Sequence, residues 1–217
     1  MKYLIKFSKD GMMKYISHLD MIRLFNRAFK RAGIELEHSQ GFNPHPKLVF
    51  AQPLSLGYTS DCELAQIDTV EAFKEDMLAH MINDQMPNGI SILSCKKQEK
   101  ETKSIAAGIT EAAYIIKLPE KYHISNEVIR NFISQDEIIA YKKQKRKKEL
   151  KAVNIKPMIR EIGISNDMVD NNIIMNIKID CGSSSNLNPD VLLKALEAFA
   201  DVDIKPEDIE IKRILLQ

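Results

Sequence analysis

The chain has 217 residues, a 44% hydrophobic fraction and a formal net charge of +1. That length accommodates two packed halves of about 100 residues each, and the composition is ordinary for a protein with a core. Near-neutrality excludes bulk attraction to nucleic acid, so any basic surface must be local.

The first residues, Met1 to Phe7, are too short and too charged for a signal peptide, and no run approaches the roughly 18 apolar residues of a membrane span. A soluble, cytoplasmic protein with no membrane association is expected. Tyr3, Ile5 and Phe7 alternate with Lys2, Leu4 and Lys6, which predicts a first strand. A helix begins near Ser17, where Ser17 and Asp20 stand three apart like a capping box with Asp in place of Glu. Leu19, Ile22, Phe25, Phe29 and Ala32 recur at helical spacing as its buried stripe, and Gly33 stops it. Residues 34 to 38 predict a short strand. The loop 39–46 follows, stiffened by Pro44 and Pro46 and turned at Gly41. The apolar run Leu48 to Ala51 predicts a central strand, and 62–68 the next. Phe73, Met77, Leu78, Met81 and Ile82 predict a second helix, closed by Pro87-Asn88-Gly89, and a strand runs from Ile90 toward Lys97. This is the element order of a ferredoxin-like βαββαβ unit.

Residues 98–110 are polar and charged and read as a linker. The order then repeats, with strands at Ala113 to Leu118, Glu137 to Lys142, Ile173 to Ile179 and Asp208 to Leu216, and helices at Asn126 to Ser134 and Pro189 to Ala200. The expected architecture is therefore α+β, two tandem ferredoxin-like halves with antiparallel sheets. The halves cover 1–97 and 111–217, the second with a basic insertion at 143–163.

Arg23, Arg27 and Lys30 lie three and four apart on one side of the first helix, with Arg31 beside them. Such a row is either a solvated face or a set of phosphate contacts. The adjoining loop holds Phe42, Asn43, His45 and Lys47 between rigid residues; an aromatic beside cations suits stacking on a base, or Phe42 plugs the core. His18, in the first helical turn, is a candidate acid–base group or phosphate donor, although no carboxylate partner is set by spacing. His18, His38 and His45 lack metal-ligand spacing, and no metal is expected. The block Lys142 to Lys148 is a second basic feature, either a solubilising loop or a nonspecific contact for RNA, DNA or an acidic protein surface. Cys181 to Asn186 precedes a helix but lacks the spacing and Lys of a phosphate loop.

Ser17-His18-Leu19-Asp20, Arg23, Arg27-Ala28, Arg31-Ala32, Ser39, Gly41-Phe42-Asn43-Pro44, Pro46-Lys47, Ala51, Leu54 and Gly57 together resemble the radical-SAM-linked family of bacterial proteins. Weaker matches are Lys156-Pro157-Met158-Ile159-Arg160 and Lys212-Arg213-Ile214-Leu215. Where that family tends to carry Arg-Pro before the last helix, this chain has Asn188-Pro189. The resemblance implies a noncatalytic accessory or substrate-presenting module for a radical SAM protein with a cobalamin-binding-type domain. Cys62, Cys95 and Cys181 are too dispersed to supply that enzyme's CxxxCxxC, and no cofactor is expected in this chain. The expected binding face comprises His18, Arg23, Arg27, Arg31, Phe42, Asn43, His45 and Lys47, with RNA as a candidate ligand. Tandem ferredoxin-like halves also resemble the CRISPR RNA-processing endonucleases, which implies a metal-independent ribonuclease using His18. The glycine-rich loop of those proteins is missing here, since Asp201 to Asp208 contains no glycine.

Overall fold

The computed structural model describes residues 1–99, 105–143, 150–165 and 171–217. It is a mixed α+β protein whose chain divides into two compact units, Met1–Ile109 with Leu216, and Thr110–Leu215 with Gln217.

In the first unit, β1 (Lys2–Lys9) is followed by a 3₁₀ turn and α1 (His18–Arg31). Then come β2 (Leu48–Phe50), β3 (Thr59–Asp68), α2 (Glu75–Asn83), β4 (Ile90–Gln98) and the short α3 (Ile105–Gly108). β1 lies between β4 and β3 and is antiparallel to both, while β2 pairs antiparallel with β3. The odd positions of β1, Tyr3, Ile5 and Phe7, are fully buried against the helices, as a two-residue period requires. Phe25 sits at the centre of the packing, with ring centroids 5.0 Å from Phe7, 5.9 Å from Phe29 and 5.2 Å from Phe50.

Several expectations shift. The buried face of α1 is Met21, Phe25, Ala28 and Phe29, whereas Leu19 is exposed. At 100° per residue Leu19 lies about 120° round the helix from Phe25, which takes it off the core face. Met77 is exposed on α2 for the same reason, leaving Leu78 and Ile82 to fill the core. Residues 34–38 make isolated bridges, Leu36 with Thr69 and His38 with Pro46, in place of a strand. The run beginning at Leu48 is a three-residue strand bound to β3, with Val49 exposed, so it is not central.

In the second unit, β5 (Glu111–Pro119) and α4 (Asn126–Ser134) lead to a hairpin of β6 (Ile139–Lys143) and β7 (Leu150–Asn154). β8 (Ile159–Ile164), β9 (Asn172–Asp180), α5 (Pro189–Ala200) and β10 (Glu210–Leu216) complete it. The strands of its main sheet are ordered β10-β5-β9-β8. The strand expected from Glu137 is thus β6, in a separate two-stranded sheet, and β9 pairs on its other side with β8, which begins inside the stretch read as an insertion. Asn154 ties the hairpin root by accepting from the backbone N–H groups of Ile138 (3.2 Å) and Lys156 (3.0 Å). Within the stretch read as a linker, Ile105–Gly108 is helical. Among the described residues no helix is long and apolar enough to cross a membrane.

Candidate functional site

The first helix starts as its sequence demands. Ser17 Oγ accepts from the Asp20 backbone N–H at 3.1 Å, as an N-cap does, and donates to the Asp20 carboxylate at 2.7 Å, so the carboxylate meets the cap hydroxyl where a capping box would use the cap's backbone N–H. That hydroxyl, and then Arg23 at 3.0 Å, hold the Asp20 carboxyl below the usual carboxylate range. His18 stands in this first turn with its ring edge-on to Phe50, centroids 5.6 Å apart.

Beside His18 is a cavity of about 20 Å³ bordered by Phe7, Met21, Phe50, Lys9 and Glu63. That is room for about one water. Lys9 and Glu63 are charged residues only 4% and 6% exposed, and sequence reasoning missed both. The available signal was parity: Lys9 continues the inward-facing series of Tyr3, Ile5 and Phe7. Glu63 comes to this place through its register opposite Phe7 in the β1–β3 pair.

The expected cationic face is largely engaged within the molecule. Arg23 pairs with Asp20. Arg31 donates from Nη2 to the Gln85 carbonyl at 2.6 Å and from Nε to Gln85 Oε1 at 3.2 Å, clamping the end of α1 to the turn after α2. Lys47 Nζ lies 2.9 Å from Glu37 and 3.6 Å from Asp68. Its hydrogen bond to Glu37 raises the Lys47 pKa and lowers that of Glu37. Arg27 and Lys30 are exposed.

The loop 39–46 is closed by short contacts. Ser39 N–H donates to the His45 carbonyl at 2.9 Å, and Ser39 Oγ accepts from His45 N–H at 3.1 Å. His45 Nδ1 lies 2.9 Å from the same hydroxyl, so one nitrogen of this ring is used inside the loop. Asn43 is exposed, and Phe42 has a relative exposure of 112%, which rules out a core plug. The candidate residues fall into two places. His38 and Pro46, the roots of the loop, border a cleft with Asn26 and Lys30 of α1 and with Gly33 just beyond it, whereas His18 borders Phe50, Pro53 and Leu54. From His18 to Lys30 the helix rises about 18 Å.

Elsewhere, Lys142 and Lys143 close the described part of β6, and 144–148 of the basic block lie outside the described residues. The turn before α5 is tied, Gly182 N–H to the Ser185 carbonyl at 2.8 Å and Ser185 Oγ to the buried Asp180 at 2.6 Å. Arg160 binds the other oxygen of Asp180 at 2.6 Å, and Arg213 is buried against the Tyr114 hydroxyl at 3.2 Å. Among the described residues no three His, Cys, Asp or Glu side chains cluster as metal ligands. Cys62, Cys95 and Cys181 are buried, and burial with the nearby Glu75 charge pushes the Cys95 thiol up to about 12.

A family model described as an uncharacterized protein conserved in bacteria (DUF2344) matches residues 2–189. None of the curated proteins matches. Among solved structures, a chain of a Cbf5-Nop10-Gar1 complex superposes with a TM-score of 0.53 at 8% identity. The match covers 99% of this chain and 48% of the other, so the chain spans about half the length of that neighbour. An unknown protein from Galdieria sulphuraria aligns over 99% of this chain and 98% of its own at 11% identity, with a TM-score of 0.28.

Proposed function

We propose that this chain, which belongs to the bacterial family DUF2344, is a noncatalytic accessory module that docks on a radical SAM enzyme in the cytoplasm through its Phe42 loop. The observation that carries this reading is Phe42 itself. An aromatic ring with 112% relative exposure gains nothing from folding. Here it is held out by a loop whose ends are tied through Ser39, His45, His38 and Pro46. A preorganised apolar anchor of this kind lowers the ordering cost of association. A protein partner is favoured over a nucleic acid because Arg23, Arg31 and Lys47 already serve Asp20, Gln85, Glu37 and Asp68. Arg27 and Lys30 remain exposed, and they support a second reading in which the same face takes RNA.

We read the two units as ferredoxin-like halves. The orders β4-β1-β3-β2 and β10-β5-β9-β8, each with two helices between strands, support this reading. A ribonuclease centred on His18 has less support, since the cavity beside it is about 20 Å³, far smaller than a phosphodiester requires.

A photo-crosslinking residue at position 42, expressed in the native cells under anaerobic conditions, tests the proposal. A radical SAM protein is the expected adduct, and Phe42→Ala should abolish its co-purification. RNA adducts whose retention falls steeply with salt, less steeply in an Arg27→Ala/Lys30→Ala variant, would move the reading to RNA. Recovery of neither would sink both.

A further inference from the structure

The second unit carries a cleft of about 820 Å³ between β6 and α5. On the strand side it is bordered by three consecutive residues, Ile139, Ala140 and Tyr141. Successive side chains of a strand point to opposite faces, so a cleft that meets three in a row runs along the strand's edge. On the helix side, Val191, Ala195 and Ala198 form one apolar stripe about 10 Å long, with Lys194 at its margin.

The backbone of that strand edge has no neighbouring strand. Ile155 N–H donates to the Ile138 carbonyl at 2.8 Å, and the register of the hairpin sets Ala140 opposite Val153. Hydrogen-bonded and non-hydrogen-bonded pairs alternate along an antiparallel ladder. Ile138 and Ala140 therefore bond toward β7, and Ile139 and Tyr141 turn their N–H and C=O groups to the opposite edge. Among the described residues this sheet has two strands, so no strand pairs there. Ile139 and Tyr141 are 41% and 67% exposed, against 4% for Ala140. An edge of this kind is a template for a further strand.

Charge selects which strand. Lys194 is exposed and closes no ion pair among the described residues. β6 itself ends in Lys142 and Lys143. Asp190 also lines the cleft, but it stands in the first turn of α5, where it offsets the positive helix terminus. A second copy of β6 would set lysines against lysines, which disfavours self-pairing.

We propose that this cleft binds an extended acidic segment of a partner protein, which adds to the edge of β6 as a third strand. Its backbone pairs with Ile139 and Tyr141, its alternate apolar side chains lie on Val191, Ala195 and Ala198, and a carboxylate meets Lys194. Backbone pairing supplies affinity, and the helix stripe supplies selectivity. The site lies within Thr110–Leu215 and rests on nothing assigned to Phe42.

Fluorescence anisotropy of the full chain with a labelled octapeptide of alternating valine and glutamate tests the proposal. Saturable one-to-one binding is expected, about tenfold or more tighter than that of a valine–lysine octapeptide. Tyr141→Pro removes an N–H that the β6–β7 ladder does not use, so it should abolish binding while the circular dichroism spectrum stays unchanged. Ala198→Trp fills the cleft from an exposed helix position and should abolish binding even if the proline variant unfolds. Lys194→Glu should weaken the glutamate peptide and strengthen the lysine one. No saturable binding, equal binding of the two peptides, or binding that Tyr141→Pro and Ala198→Trp leave unchanged overturns the proposal. It is also overturned if oligo-uridylate binds in place of the peptides and Lys194→Glu weakens it, which assigns the face to RNA. Self-association abolished by Tyr141→Pro, without peptide binding, assigns the edge to a second copy and overturns it as well.

Discussion

Ser17 satisfies one of the orphan N–H groups of α1 and also fixes the ionised form of Asp20. Ser17→Ala should therefore cost about 1 kcal/mol at neutral pH, measured by urea denaturation. The pH dependence follows from the direction of the Asp20 shift. Because the folded carboxyl titrates below its unfolded value, its stabilisation is complete above the unfolded pKa and disappears as pH falls through the folded one. The part of the Ser17→Ala penalty that runs through Asp20 should then begin to shrink as pH falls below about 4 and vanish once pH is below the folded midpoint of Asp20, and carboxyl NMR titration of Asp20 should show an upward shift in the variant. A midpoint for Asp20 that does not move would show that the hydroxyl acts only on the backbone. This capping pair was legible because both members are local. Lys47 was not, since its partners Glu37 and Asp68 lie 10 and 21 positions away and meet it through backbone pairing. The buried Glu63 was hidden for the same reason. Local spacing reveals which cations share a helix face, but not which of them the fold has already neutralised.

At the scale of elements, two glycines separate backbone strain from steric conflict. Gly33 ends α1 at φ +70° with open space where a Cβ would stand. Gly89 immediately precedes β4 at φ +94°, and a Cβ there would lie 2.5 Å from the Asp10 carbonyl oxygen. The Asp10 N–H also donates to the Gly89 carbonyl at 2.7 Å, so neither backbone can move away without losing that bond. Gly33→Ala should cost about 1–2 kcal/mol from the left-handed conformation alone, and Gly89→Ala distinctly more, both read from chemical denaturation. Equal penalties would mean that the Asp10 turn yields easily. The helices were legible from caps and period, and so was β6, whereas β7 and β8, which follow it before β9, were not. Residues 139–164 hold three strands of five or six residues. A long lysine run breaks their alternation, and only pairing with β9 distinguishes β8 from the hairpin strands. Register is non-local information, and a short strand carries little of its own. For the candidate site, the exposed Phe42 loop was visible in the sequence as rigid residues around an aromatic; the nearby cleft was not, because it needs α1 and 34–38 side by side.

The distribution of thiols gives a probe of the whole molecule. Cys62 and Cys95 belong to the unit Met1–Ile109 and Cys181 to Thr110–Leu215, and all three are buried. A thiol pushed up to about 12, as at Cys95, is almost wholly protonated at pH 8 and does not react while the unit is closed. Unfolding returns it to about 8.5, so alkylation in a urea series reports opening of each unit, residue by residue, by mass spectrometry. Cys62 and Cys95 should become reactive together if their unit opens cooperatively. Phe25 is fully buried at the centre of the aromatic cluster that joins β1, α1 and β2. Phe25→Ala should cost about 3–5 kcal/mol and move both midpoints down by the same urea interval. Separation of the two midpoints would show that β3, which carries Cys62, opens apart from β4, which carries Cys95. The shared core would then be weaker than its packing implies. Phe42→Ala serves as the internal contrast, because its ring is fully exposed and removing it should move neither midpoint.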